Sequence, residues 1–180
     1  VNPSAIFLQR GDVESPGSIA TVSWEGTRPL LVELQALVDD AAGGHPKRVA
    51  VGLDQQRLAM HLAVLHRHCG IALGDQDVFA NVVGGVRIAE TGADLAVLLA
   101  VLSSFRDRIL PRDLIVFGEL GLTGELRPVT NGQGRIREAA KHGFKHAIVP
   151  FANSPKERVG GMTVHGVKTL AAALEVVAGL

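Results

Sequence analysis

The sequence predicts one mixed α/β domain in which helices cover a sheet, on three observations. Strand-like apolar runs alternate with stretches whose apolar residues recur every three or four positions. Glycine and proline punctuate the boundaries between them. No polar stretch is long enough to split the chain, and 180 residues suffice to hide roughly 70% of the unfolded surface in one core.

Ser18 to Trp24 and Leu30 to Val38 read as two strands joined through Glu25-Gly26-Thr27, a hairpin. Ala41 to Pro46 is a loop, and Lys47 to Leu53 a further short strand. Asp54 is placed to cap a helix whose apolar stripe is Leu58, Leu62, Leu65 and Cys69, with Gly70 as its stop. Val78 to Val83 is a strand leading into Gly84-Gly85. Thr91 and Asp94 have the spacing of a capping box, which predicts a helix from there through Phe105; it is apolar nearly all round and so belongs in the interior. Leu114 to Phe117 is a strand, and Gly118, Gly121 and Gly124 mark tight turns on the way to Val129. Asn131 to His142 is a helix with Ile136, Ala139 and Ala140 inward and Gly143 as its stop. Ala147 to Val149 forms a strand ending at Pro150, Met162 to Val167 another, and Thr169 to Val177 the last helix.

With 47% hydrophobic and 20% charged residues, neither disorder nor a fibrous repeat is in play. Eighteen basic residues balance eighteen acidic ones, so overall charge makes no case for nucleic acid or membrane. Up to Gly44 the balance is six acidic to two basic, leaving twelve to sixteen beyond it and room for a basic patch there. Cys69 is the one cysteine, which excludes an intrachain disulfide, argues against a Cys-rich zinc site and fits a reducing, cytoplasmic setting. Apolar runs such as Leu95 to Leu102 fall short of the ~20 residues of a membrane span, and no signal peptide opens the chain. Its start at Val1-Asn2-Pro3 carries the expectation of a piece of a longer protein.

The phosphate-loop pattern is absent, and Gly118, Gly121, Gly124 and the Gly84-Gly85 pair read as turn and strand-end glycines. On the first helix His61 and His68 share a face, His66 points elsewhere and Cys69 belongs to the buried stripe, which reads as a polar face using histidine and not as a metal site. No Gly-x-Ser-x-Gly elbow is present; Ser103 and Ser104 are expected to bond back to the preceding helical turn, and His142 suits a helix C-terminus.

Three sets of residues go further. Gly118-Glu119-Leu120-Gly121-Leu122-Thr123-Gly124-Glu125-Leu126-Arg127-Pro128-Val129, followed by Ala139-Ala140-Lys141-His142-Gly143-Phe144 and Ala147-Ile148-Val149-Pro150, resemble in order the proteolytic domain of the Lon proteases. The stretch from Glu25 to Val38, Asn81-Val82-Val83-Gly84-Gly85-Val86-Arg87 and Ser103-Ser104-Phe105-Arg106-Asp107-Arg108 are similar to the carboxy-terminal Lon-like domain of the RadA (Sms) family of bacterial DNA repair proteins. The resemblance covers nearly the whole chain. It implies the Lon-protease fold, related to the second domain of a small-subunit ribosomal protein, over 17–180, with 1–16 as the linker from an ATPase. It also implies a hexameric ring. A zinc finger and a RecA-like motor would precede this domain, so ATP, Mg and Zn are expected there and no cofactor in this chain. Single-stranded or branched DNA and the RecA recombinase are the partners the resemblance implies, with no membrane.

Lon cleaves peptides with a serine and a lysine. Laid onto this chain, the serine motif falls on Ala89-Glu90-Thr91-Gly92-Ala93-Asp94, so the serine position is Gly92 and the lysine position Arg135. Glycine has no hydroxyl, and a guanidinium stays protonated at neutral pH and cannot act as base. Thr91 is the nearest hydroxyl, with capping as its expected role, and Lys141 lies almost two helical turns beyond Arg135. The resemblance therefore implies a non-proteolytic domain that builds a ring and touches DNA through cations without reading bases. The candidates are Arg28, Arg87 and Arg135, then Lys47, Arg48 and Arg127. A residual peptidase with a displaced nucleophile and a scaffold without DNA contact are the alternatives.

Overall fold

A computed structural model describes residues 14–180. The expected linker, 1–16, lies outside the described residues apart from Glu14, Ser15 and Pro16. Strands β1 (Ser18–Glu25) and β2 (Arg28–Asp40) pair antiparallel with Glu25 opposite Arg28, leaving Gly26 and Thr27 as a two-residue turn. Gly26 sits at φ +60° and Thr27 does not. That is the turn whose twist suits a hairpin, with glycine where a side chain would be strained.

Five further strands complete the main sheet: β3 (Arg48–Val51), β4 (Gln76–Val82), β5 (Leu114–Val116), β8 (His146–Pro150) and β9 (Thr163–Val167), in the order β3-β4-β2-β1-β5-β8-β9. Only β1–β2 and β2–β4 are antiparallel; the other four pairings are parallel. A separate ribbon joins β6 (Glu119–Leu120) to β7 (Leu126–Arg127). The helices are α1 (Gln55–Cys69), α2 (Asp94–Arg106), α3 (Gly132–Lys141) and α4 (Leu170–Ala178).

Alternation along the central strands feeds two cores. On one face Ile19, Leu30, Val32, Leu34 and Ala36 pack with α1, α2 and α4. On the other, Ala20, Val22, Leu31, Ile115 and Phe117 pack with Ile136 and Ala139 of α3. Helices on both faces explain why β5 and β8 read as unbroken apolar runs. Helix α2 is buried from Asp94 to Ser103, as its all-round apolarity predicts. Ala140 is only partly buried against the second core.

The caps of α1 match the sequence reading. Asp54 Oδ1 accepts from the amides of Gln56 and Arg57, and Gly70 closes the helix at φ +70°. Three expectations are corrected. Thr91 and Asp94 do not form a capping box: α2 starts at Asp94 after Ala93, with no side-chain cap, and both side chains are held elsewhere. Ser103 and Ser104 do not bond back to the helix. Their Oγ atoms accept from the amides of Gly17 and Val38, stitching the end of α2 to β1 and β2. His61 is not on a polar face but in the interior, whereas His68 is exposed and lies 3.0 Å from the Leu122 carbonyl.

Candidate functional site

The approach to α2 brings together Gly92 and Arg135, the positions that the resemblance to Lon assigns to a dyad. Gly118 of the β5–β6 turn donates its N–H to the Gly92 carbonyl (2.8 Å), and its own carbonyl accepts from Leu95 N–H (3.1 Å), fixing the segment just before the helix. On the far side, the first turn of α3 presents Arg135. A Cβ added at Gly92 would lie 2.9 Å from Arg135 Nη1 and press on Glu90 Oε1. Positions 43 residues apart in sequence thus share one spot, and the side chain between them is Glu90.

Arg135 is 1% exposed, the largest side chain so deeply buried. Its Nη1 donates to Glu90 Oε1 (2.7 Å) and to the Val22 carbonyl of β1 (2.9 Å), and its Nε to the Thr130 carbonyl (2.9 Å). The guanidinium also lies 5.8 Å from the centre of the Phe117 ring. Glu90 uses its other oxygen to accept from Trp24 N–H (2.7 Å). The ion pair therefore ties β1, the α2 approach and α3 into one network. A buried charge with a carboxylate and two carbonyls as partners is held in place within the interior.

The two neighbouring candidates have other partners. Thr91 Oγ1 donates to Glu119 Oε1, and a carboxylate that bonded is shared with Arg127 (Nε to Oε2, 3.6 Å). Lys141 is exposed at the far end of α3, 3.8 Å from Glu138.

A second network, absent from the sequence reading, adjoins the first. Asp94 accepts from Arg57 Nε (3.1 Å) and Nη2 and from the Leu120 amide (3.0 Å), which keeps the Arg57 guanidinium firmly protonated. His61 Nε2 lies 3.7 Å from the same carboxylate, too far to bond, and is buried without a partner. These groups, with Arg87, Ile88 and Glu90, line a cavity of about 160 Å³. The signal available in the sequence was Asp94 itself, a carboxylate opening a helix with no polar face.

Burial lowers the His61 pKa more than Asp94 raises it, and burial followed by the charge of His146 lowers that of His165. Both histidines bind protons more weakly folded than unfolded, so their contribution to stability is complete above the ordinary histidine pKa of about 6.5 and is lost as pH falls below it. The unfolding midpoint is expected to drop between neutral pH and pH about 5, and His61→Leu to flatten that dependence; thermal melts across this range check it. A wild-type curve that is flat there contradicts it.

The predicted DNA contacts are not gathered into one patch. Arg28 stands at the hairpin end of β2, and Arg87 lies three residues from Glu90, whose carboxylate bonds Trp24 of the same hairpin. Lys47 and Arg48 are at the opposite end from Arg28, next to Gln76 and Asp77 and roughly 40 Å from it by strand rise, whereas Arg87 precedes Ile88, whose N–H donates to the Gly52 carbonyl just past the end of β3. Arg48 donates to the carbonyls of Gln76 and Leu73, and Arg127 lies between Glu119 and Glu125. Arg135 is buried, with Nε and Nη1 directed to the Thr130 and Val22 carbonyls and to Glu90, so it lies away from the surface on which a DNA contact would have to stand. Among the described residues no group of three or more His, Cys, Asp or Glu could hold a metal ion, and no helix is long and apolar enough to cross a membrane.

The fold is thus a mixed α/β domain with a mostly parallel sheet flanked by helices. The chain belongs to the family described as subunit ChlI of Mg-chelatase, whose model matches residues 33–153, a span holding both Glu90 and Arg135. Its relatives are more particular. It is 67% identical over 97% of its length to DNA repair protein RadA of Salmonella typhimurium, 65% over 99% to that of Haemophilus influenzae and 66% over 97% to that of Escherichia coli. The chain spans 38–39% of the length of these relatives.

Proposed function

We propose that this chain is the Lon-like domain of a RadA-type DNA repair ATPase, one that has given up peptide cleavage. It forms the ring and holds DNA with low specificity while a motor outside this chain hydrolyses ATP to move branched DNA. The observation that carries the non-proteolytic part is the Glu90–Arg135 pair, which occupies the space a serine at position 92 would need. Relatives at 65–67% identity over nearly the whole chain favour a repair setting over a chelatase, because the family model covers only 33–153.

Within this reading the DNA contact falls to Arg28 and Arg87, both exposed. Lys47 and Arg48 stand at the far end of β2 from Arg28, and Arg127 lies between two glutamates. Contacts of this kind go to phosphates, so binding weakens with salt and ignores sequence. Anisotropy titrations of labelled single-stranded and branched DNA are expected to show a steep salt slope. Arg28→Glu with Arg87→Glu should reduce that slope by about one for each cation removed. No salt-sensitive binding even at high concentration would leave a scaffold without DNA contact.

A further inference from the structure

Two apolar surfaces are left uncovered by the described residues, and their charges are opposite. The first is the face of β3, β4 and the second half of β2 that turns away from α1 and α2. Ala36, Ala50, Val78 and Ala80 point into the core, so the alternate residues Leu37, Val49, Val51 and Phe79 form the outer face. Leu37 and Val51 are 59% and 58% exposed. The second core, with α3, covers this side of the sheet only over β1, β5, β8 and the start of β2. Glu33, Asp39 and Asp77 stand on the open part, with Lys47 at its rim.

The second surface is a groove of about 140 Å³ between the C-terminal ends of α2 and α4. Leu102, Ile109, Leu110 and Val177 line it, and Arg106 and Arg108 flank it with Asp107 between them. Ile109 is half exposed. Because Leu102 and Leu110 belong to the core on the α1/α2 side, groove and open sheet face look out from opposite sides of the sheet.

We propose that the acidic sheet face of one copy of this chain docks into the basic groove of the next. The proposal rests on the ring reading above and names the surfaces that build it. Like polarity and unlike charge make each surface a partner for the other: Leu37 and Phe79 meet Ile109 and Val177, while Asp39 and Asp77 meet Arg106 and Arg108. A contact between two different surfaces is head-to-tail, and such a contact closes into a ring when its rotation allows. A self-complementary patch would stop at a dimer.

Sedimentation and light scattering of the full chain, at low and high salt, test it. Leu37→Asp and Ile109→Asp should each weaken assembly by about tenfold or more. Each keeps one surface intact, so mixing the two variants should yield dimers and nothing larger. Asp39→Arg, and separately Arg106→Glu with Arg108→Glu, should weaken assembly likewise, and combining all three changes in one chain should recover part of it. These charge variants decide the matter if either aspartate variant fails to fold. Assembly that none of the variants affects overturns this contact and leaves the ring standing. A wild-type chain that stays monomeric throughout overturns the ring as well and leaves the two surfaces to other partners.

Discussion

Replacing Glu90 with glutamine is expected to lower the unfolding free energy by about 3 kcal/mol, the lower end of the cost of removing one partner from a buried ion pair. The lower end applies because Glu90 keeps 25% of its side-chain surface while Arg135 keeps 1%. The loss has two sources. Arg135 is left charged beneath Trp24, Phe117 and α3 with only carbonyls about it, and Trp24 N–H loses a charged acceptor. For a chain of this size the melting temperature should fall by about 6–12 °C. Urea denaturation with an unchanged slope would show that native stability moved and not the unfolded state. The double variant Glu90→Gln with Arg135→Met should be less destabilised than the sum of the singles, because it removes both the charge and its counter-charge. A change under about 1 kcal/mol for Glu90→Gln would mean that the pair behaves like a solvated surface contact, and the site would then be open to other chemistry.

What could be read in the sequence was local. Asp54 and Gly70 bracket α1 because a carboxylate oxygen and a positive φ are provided by those residues alone, whatever surrounds them. Gly26 makes its hairpin for the same reason. The start of α2 misled because Thr91 and Asp94 had better partners at a distance: Glu119 takes the hydroxyl, and Arg57 with the Leu120 amide takes the carboxylate. Tertiary hydrogen bonds outweighed a cap worth about 1 kcal/mol. His61 misled similarly, since the hydrophobic stripe of α1 is wide enough to take in a histidine that the period alone leaves outside. Sheet order was beyond reach, because β1 lies between its hairpin partner and β5, which follows it by some ninety residues. The site was half legible. The resemblance to Lon pointed to Gly92 and Arg135, but Glu90, the residue that joins them, had no role in it, and its partners come from β1 and α3.

Restoring the two dyad residues is not expected to restore cleavage. In Gly92→Ser the new Cβ presses on Glu90 Oε1 and lies 2.9 Å from Arg135 Nη1, so either the ion pair parts or the α2 approach moves, at a cost of about 1–3 kcal/mol. Adding Arg135→Lys shortens the side chain but leaves it facing the Glu90 carboxylate. An ammonium beside a carboxylate is stabilised in its charged form, so its pKa rises away from what a general base needs. The Gly92→Ser, Arg135→Lys chain should therefore cleave no unfolded casein-like substrate and take up no serine-directed phosphonate label, while melting below wild type. Removing Glu90 as well would free the amine, but would strip Trp24 N–H of its acceptor and uncouple β1 from the site. On the function proposed above, Glu90 counts with positions 92 and 135 against a working dyad. Phosphonate labelling of the two-residue variant would show that the carboxylate does not hold the lysine protonated, and would return residual peptidase chemistry to contention.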